Sequence, residues 1–299
     1  MSHIDPAAPL REFRPTQPFF VGIDSDGCAF DTMEVKHKEC FIPNIVRFYG
    51  LAAISKYARE SAEFVNLYSK WRGVNRFPGL VKAIDLLADH PKVRQRGFTL
   101  PKLAGLRAWI ERETKLANPA LSAEVARTGD PDLTLALAWS GAVNDSIAKT
   151  VRHVPPFPCV RESLEALATR ADVMVVSATP TEALQREWEE HDLAAYVRLI
   201  AGQELGSKKE HLAFGAAPEK YARDHVLMVG DAPGDLAAAR ANGVLFYPIM
   251  PGDEDASWQE FFENGMSRFF GGQYAGAYMQ ALVDKFEASL PDLPRWKHS

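Results

Sequence analysis

Two kinds of hydrophobic pattern divide this chain. Five short apolar blocks, "FFVGI", "ADVMVVSA", "YVRLIAG", "HVLMVGD" and "VLFYPI", run without a polar face and are rich in β-branched and aromatic residues. Blocks of that length and composition read as strands covered on both sides. Between the last four lie stretches with apolar residues near i, i+3 and i+4: "TPTEALQREWEEHDL", "SKKEHLAFGAAPEKYARD" and "APGDLAAARANG", with "VRESLEALATR" ahead of them. Such alternation predicts an α/β fold, a parallel sheet with crossover helices. The block at Phe19 is its missing first strand, separated from the rest by a long insertion.

That insertion, residues 31–155, carries helical periodicity and turn signals but no buried strand. "SKYARESAEFVNLYSKW", "GLVKAIDLLADH", "LAGLRAWIERETKLA" and "DLTLALAWSGAVNDSIAKTV" are its clearest stripes. Asp31 and Glu34 are spaced as an N-cap and its capping-box partner at its first helix. The proline-rich "HVPPFPCV" closes it as a stiff, extended connection. The expected organisation is therefore an α/β core over 1–30 and 156–255, an all-helical insertion over 31–155, and a helical extension over 256–299 packed on the core.

Composition narrows the partners. A net charge of -5 with no basic block argues against nucleic acid. No apolar run is long enough to span a bilayer, and the first residues lack a signal-like apolar segment. Three cysteines without a CxxC pair point away from a disulfide framework. A cytoplasmic protein with no membrane partner is expected, and the tail is a candidate surface for a homodimer.

The strand ends carry the candidate chemistry. Asp24 and Asp26 follow the first block in "DSDG", Ser177 follows the second in "VVSATP", Lys208 and Lys209 open a later helix, and Asp231 and Asp235 follow the fourth in "VGDAPGD". In a parallel sheet all of these fall at the C-terminal edge, where ligands bind. Two acids so close in sequence repel each other unless a cation is near. Adjacent lysines at a helix start oppose its dipole, so one of them calls for an anionic partner.

Four elements in this order resemble the motifs of the haloacid dehalogenase superfamily of aspartate-nucleophile hydrolases: DxDG, Ser or Thr, Lys, GDxxxD. The resemblance covers roughly 18–30 and 156–251 and implies a Rossmann-like core with a mobile cap as the insertion. It further implies a phosphatase whose nucleophile is Asp24, whose acid–base group is Asp26, and whose phosphoryl oxygens are held by Ser177 and Lys208. Mg2+ would be bound by Asp24, Asp231 and the main-chain carbonyl of Asp26. A small phosphorylated metabolite is the expected substrate, cleaved through an aspartyl-phosphate.

Several points stay open at this level. Thr179 could stand in for Ser177, Lys209 for Lys208, and Asp235 is either a helix-start acid or a group that orients the lysine. Cys28 stands where many family members have Thr, and nothing basic nearby in sequence activates it. In the insertion, "KWRGVNRFPG" offers Arg72, Asn75 and Arg76 as substrate-binding candidates, against an ordinary helix end with a turn at Gly73. A phosphomutase with the same acid pair, and a non-catalytic binding protein that keeps the fold, are the rival readings.

Overall fold

The computed structural model describes residues 5–297, so the outermost ends of the expected first and last segments, residues 1–4 and 298–299, lie outside the described residues. Five parallel strands form one sheet in the order β3-β2-β1-β4-β5. They are β1 (Phe19–Ile23), β2 (Ala171–Val176), β3 (Leu199–Ala201), β4 (Val226–Gly230) and β5 (Leu245–Pro248). β1 lies in the middle, with Val21 paired to Val173 on one side and to Leu227 on the other. The chain runs outward from β1 through β2 to β3, then returns to its other side for β4 and β5. The reversal opens a crevice at the C-terminal end of β1, where Asp24 begins.

Burial explains why these strands were legible. Every residue of β2, β4 and β5 is buried, so no polar face breaks the pattern. Val21, Ile23, Val173, Val175, Leu227 and Val229 belong to one core cluster that also takes in Trp188, Tyr247 and Trp258. The helix expected from Ser207 to Asp224 is shorter, Lys208–Gly215. Beyond it the chain turns so that Tyr221 reaches the start of β2, and periodicity cannot report that long-range demand. The helix Asn118–Thr128 lay in a stretch that carried no clear stripe.

At the other edge of the sheet, buried Asp172 in β2 ties down the N-terminal segment. Its carboxylate accepts from Thr16 N (2.8 Å), Gln17 N (3.1 Å) and Tyr221 Oη (2.7 Å), and pairs with Arg198. Burial pushes this carboxyl up, but the Thr16 and Tyr221 hydrogen bonds outweigh it and the net shift is downward. Asp172→Ala should destabilise the α/β unit by about 3–5 kcal/mol, because it strands a guanidinium and buried donors. A group with a depressed folded pKa stabilises above its unfolded value and loses that contribution as pH falls through the folded one. Denaturant melts of native and variant should accordingly converge in strong acid, below the ordinary aspartate range.

The described chain divides into two compact units: residues 5–32 with 153–289, and residues 33–152 with 290–297. The helical unit is built on buried aromatic residues. Trp139 lies against Phe41, Tyr49 and Phe77, and Phe77 meets Trp109 edge-on. Asp130 caps its longest helix, Pro131–Thr150, by accepting from Asp132 N and Leu133 N. Glu34 does not complete a capping box with Asp31; its carboxylate faces Tyr68 Oη and Lys38 Nζ instead.

The expected extension over 256–299 does not stay with the core throughout. Helices Glu254–Glu260 and Ala277–Ser289 belong to the α/β unit, whereas the chain from Leu290 belongs to the helical one. There Trp296 packs beside Phe64 and His90, and Lys70 pairs with Asp292 at 2.8 Å. The three cysteines are free, and among the described residues no helix is long and apolar enough to cross a membrane.

Candidate active site

The turn after β1 sets the geometry. Asp24 N still donates to Val229 O at 3.0 Å, and then the Ser25 carbonyl accepts from Cys28 N, Ala29 N and Phe30 N. Gly27, at φ +76°, provides the left-handed residue this tight turn requires, and its N–H donates to Phe30 O. Residues two apart project to the same side, which gives Asp24 and Asp26 one face and Ser25 the other.

On that face Asp24 is nearly fully buried. Its Oδ1 accepts from Ser25 N at 2.7 Å, and its Oδ2 accepts from Lys208 Nζ at 2.5 Å. Asp26 Oδ2 accepts from Thr179 Oγ1 at 2.7 Å, and its other oxygen accepts from Thr32 Oγ1. Ser177 is buried at the end of β2, where its N–H donates to Ala201 O and its hydroxyl accepts from Thr179 N at 3.3 Å. Of the two candidates after β2, the hydroxyl that touches an active-site carboxylate is therefore that of Thr179.

Lys208 heads the helix Lys208–Gly215, whose start is fixed by a capping box between Ser207 and Glu210. Its ammonium bridges Asp24 Oδ2 and Asp235 Oδ1 (2.6 Å), while Lys209 is exposed. Asp235 in turn folds back to accept from Ala232 N at 3.0 Å. That fold-back needs the glycine before it, since a Cβ on Gly230 would sit 2.4 Å from Asp235 Cγ. Gly230→Ala should displace Asp235 and cost about 1–3 kcal/mol, a steric penalty readable in denaturant titration.

One oxygen from each of Asp24, Asp231 and Asp235 lies within 4.8 Å of the others, and all three residues are buried. Lys208 thus bridges two of three clustered carboxylates. Burial raises the Asp24 carboxyl to about 6 against the pull of Lys208, with Asp235 and Asp26 adding to the rise. Asp235 is raised too, first by burial. For Lys208 burial works against the charge, but Asp235 and Asp24 more than offset it and keep the ammonium protonated. The same field acts on Cys28. Burial, then Asp231, Asp24 and Asp235, push its thiol well above the usual range, so it is not a nucleophile here.

The candidates from "KWRGVNRFPG" lie in the helical unit. Arg72 is buried and donates to Leu67 O at 2.9 Å, and Gly73 takes φ +75° in the turn that follows. Asn75 caps the helix Arg76–Asp89 through Phe77 N and donates to Leu116 O. Arg76 donates to Ser140 Oγ (2.9 Å) and Asn144 Oδ1 (2.7 Å) and lies over the Phe41 ring. These bonds give Asn75 and Arg76 structural work within their own unit. Sequence reasoning passed over Thr32, whose contact with Asp26 carries no motif signal, and left Asp235 open.

Residues 114–249 match the model of the haloacid dehalogenase-like hydrolase family, a span that takes in Ser177, Lys208, Asp231 and Asp235. Among curated proteins none matches the sequence. Similar solved structures include a predicted phosphatase from Clostridium acetobutylicum, at 15% identity and TM-score 0.42, covering 78% of this chain and 85% of that one. A haloacid dehalogenase-like family hydrolase from Streptococcus pneumoniae aligns at 12% identity and TM-score 0.43, over 82% and 92% of the two chains. Another, from Xanthomonas campestris, aligns at 13% identity and TM-score 0.44, over 88% and 97%. Over residues 114–249 the chain is thus similar to the haloacid dehalogenase-like hydrolases, with three of the four motifs inside that span and Asp24 beside them at the end of the central strand.

Proposed function

We propose that this protein is a Mg2+-dependent phosphatase that hydrolyses a small phosphorylated metabolite through an aspartyl-phosphate on Asp24. The observation that carries the reading is the buried cluster at the tip of β1: Asp24 held by Lys208, with Asp231 and Asp235 beside it. The donor set fits a hard divalent cation. It offers carboxylate oxygens held close together, the ligand type such an ion prefers. Asp24 and Asp231 are the side chains that would hold the ion, with the Asp26 carbonyl that the family resemblance implies. Both oxygens of Asp235 already accept, from Lys208 and Ala232 N, which suits it to orienting the lysine. When bound, Mg2+ would offset phosphate charge and so let a carboxylate approach phosphorus.

The residues then divide the work. Asp24 is aimed by Ser25 N and Lys208, one on each oxygen, and a lone pair that those bonds do not use attacks phosphorus as the ester P–O bond breaks. Asp26, tethered by Thr32 and Thr179, gives its proton to the departing oxygen. It next takes a proton from water, whose oxygen attacks the phosphorus, releasing inorganic phosphate and restoring Asp24. Lys208 and Ser177 supply positive charge and a donor to the phosphoryl oxygens, preorganised by burial.

Phosphate release from a broad panel of phosphometabolites, with Mg2+ and with a chelator, tests this reading. Selective release that disappears on chelation supports it. No release from any compound would transfer weight to a phosphomutase or a non-catalytic role, and transfer of the phosphoryl group back to an organic product would identify the former.

A further inference from the structure

We infer that Ser25, Glu187 and Trp188 form a positioning unit that aims the nucleophile turn, an inference that rests on the phosphatase reading of Asp24. Ser25 stands between the two catalytic acids but projects to the opposite side, into the core, where it is fully buried. A hydroxyl in that position is costly unless it is bonded. It is bonded twice: Ser25 Oγ donates to Glu187 Oε2 at 2.9 Å and accepts from Trp188 Nε1 at 3.0 Å. Trp188 is itself fully buried, and its ring meets Phe30, the last residue of the turn, edge-on at 5.7 Å.

The location gives the bonds their consequence. Ser25 N holds Asp24 Oδ1, and the Ser25 carbonyl accepts the three N–H groups that shape the turn, so its peptide groups fix the direction of the nucleophile. Glu187 and Trp188 lie on the helix Thr181–Glu190, which starts just after Thr179. Thr179 holds Asp26. Glu187 and Trp188 therefore fasten the nucleophile turn to the element that carries the acid's tether, and fix the register between the two. A carboxylate to hydroxyl bond is a strong one of its kind, and an indole N–H adds direction. Small displacements of reacting groups have large kinetic effects, of the order of 10²-fold for about 1 Å.

Steady-state kinetics on the best compound from the phosphate panel test this, with Asp24→Asn run alongside. Ser25→Ala and Glu187→Ala should each lower kcat by about 10- to 100-fold while KM stays within about threefold of native. Glu187→Gln keeps an oxygen to accept from the Ser25 hydroxyl and should restore kcat to within about threefold of native. A merely structural role would give no such rescue and no kcat-only loss. Should Ser25→Ala fail to fold, Trp188→Phe removes the indole donor while keeping an aromatic ring and should show the same kcat-only loss. Native kcat in the Ser25 and Glu187 variants, or a loss that tracks only the unfolded fraction, overturns the inference. If Asp24→Asn is dead while those variants match native, only the positioning role falls. If Asp24→Asn turns over as well as native, the phosphatase reading falls first and takes this inference with it.

Discussion

Asp24→Asn is expected to reduce phosphate release by about 10⁴-fold or more while the protein remains folded. The amide keeps the size of the side chain and an oxygen to accept from Ser25 N or Lys208, so the contacts that shape the turn survive. What is lost is the nucleophile, since a neutral amide oxygen does not form a stable acyl-phosphate, and with it one charged donor for the cation. The effect should appear in kcat, because the groups proposed to hold the phosphoryl oxygens, Ser177 and Lys208, are untouched. Steady-state rates over the substrate panel and a thermal melt on the same sample separate chemistry from folding. An amide variant with native rates would show that Asp24 is not the reacting group.

Lys208→Ala should be strongly destabilising. Its ammonium is hydrogen-bonded to Asp24 and Asp235, whose side chains are almost wholly buried, and Asp231 lies within the same cluster. Removing it leaves the buried carboxylates of Asp24 and Asp235 without that partner and crowded beside Asp231, at a cost of about 3–5 kcal/mol in the absence of metal. Two further results follow. Since Asp24 is already raised to about 6 with Lys208 present, its loss raises the carboxyls further, and the folded variant holds protons that the unfolded chain releases. Stability of the variant should therefore fall as pH rises through and above about 6, and recover in mild acid. Mg2+ should recover part of the deficit at neutral pH by binding the native state alone. Denaturant titrations with and without Mg2+, at two pH values, read both. A variant as stable as native in chelator at neutral pH would mean that the carboxylates are not charged together in the folded protein.

The sheet was legible because its strands are covered on both faces, so each appears in the sequence as an unbroken apolar block with a polar residue waiting at its end. Asp24, Ser177 and Asp231 could be placed at one edge from that pattern alone. The choice of Lys208 over Lys209 could not, since both open the same helix and only the direction of the first helical turn decides which ammonium reaches Asp24 and Asp235. Asp235 stayed ambiguous for a related reason. Its role depends on folding back over Gly230, a close approach between positions whose separation in space no periodicity reports. Thr179 and Thr32 reach Asp26 from segments far apart in the chain or just outside the motif, and threonine at either place is unremarkable in sequence. In the helical unit the stripes showed that helices form but not how polar side chains are used. Asn75 turned out to cap a helix and Arg76 to join two of them. The tail illustrates the same limit: Trp296 gives no sign in the sequence of which unit its ring will enter.

The central claim is that a phosphoryl group passes through Asp24. Its most direct test is to acid-quench the native protein during turnover of its best phosphoester with Mg2+ and locate any phosphoryl adduct by peptide mass spectrometry. The account predicts an adduct on the peptide carrying Asp24, chased by unlabelled substrate and absent from Asp24→Asn. Turnover with an adduct on another residue, or turnover undiminished in Asp24→Asn, would contradict it.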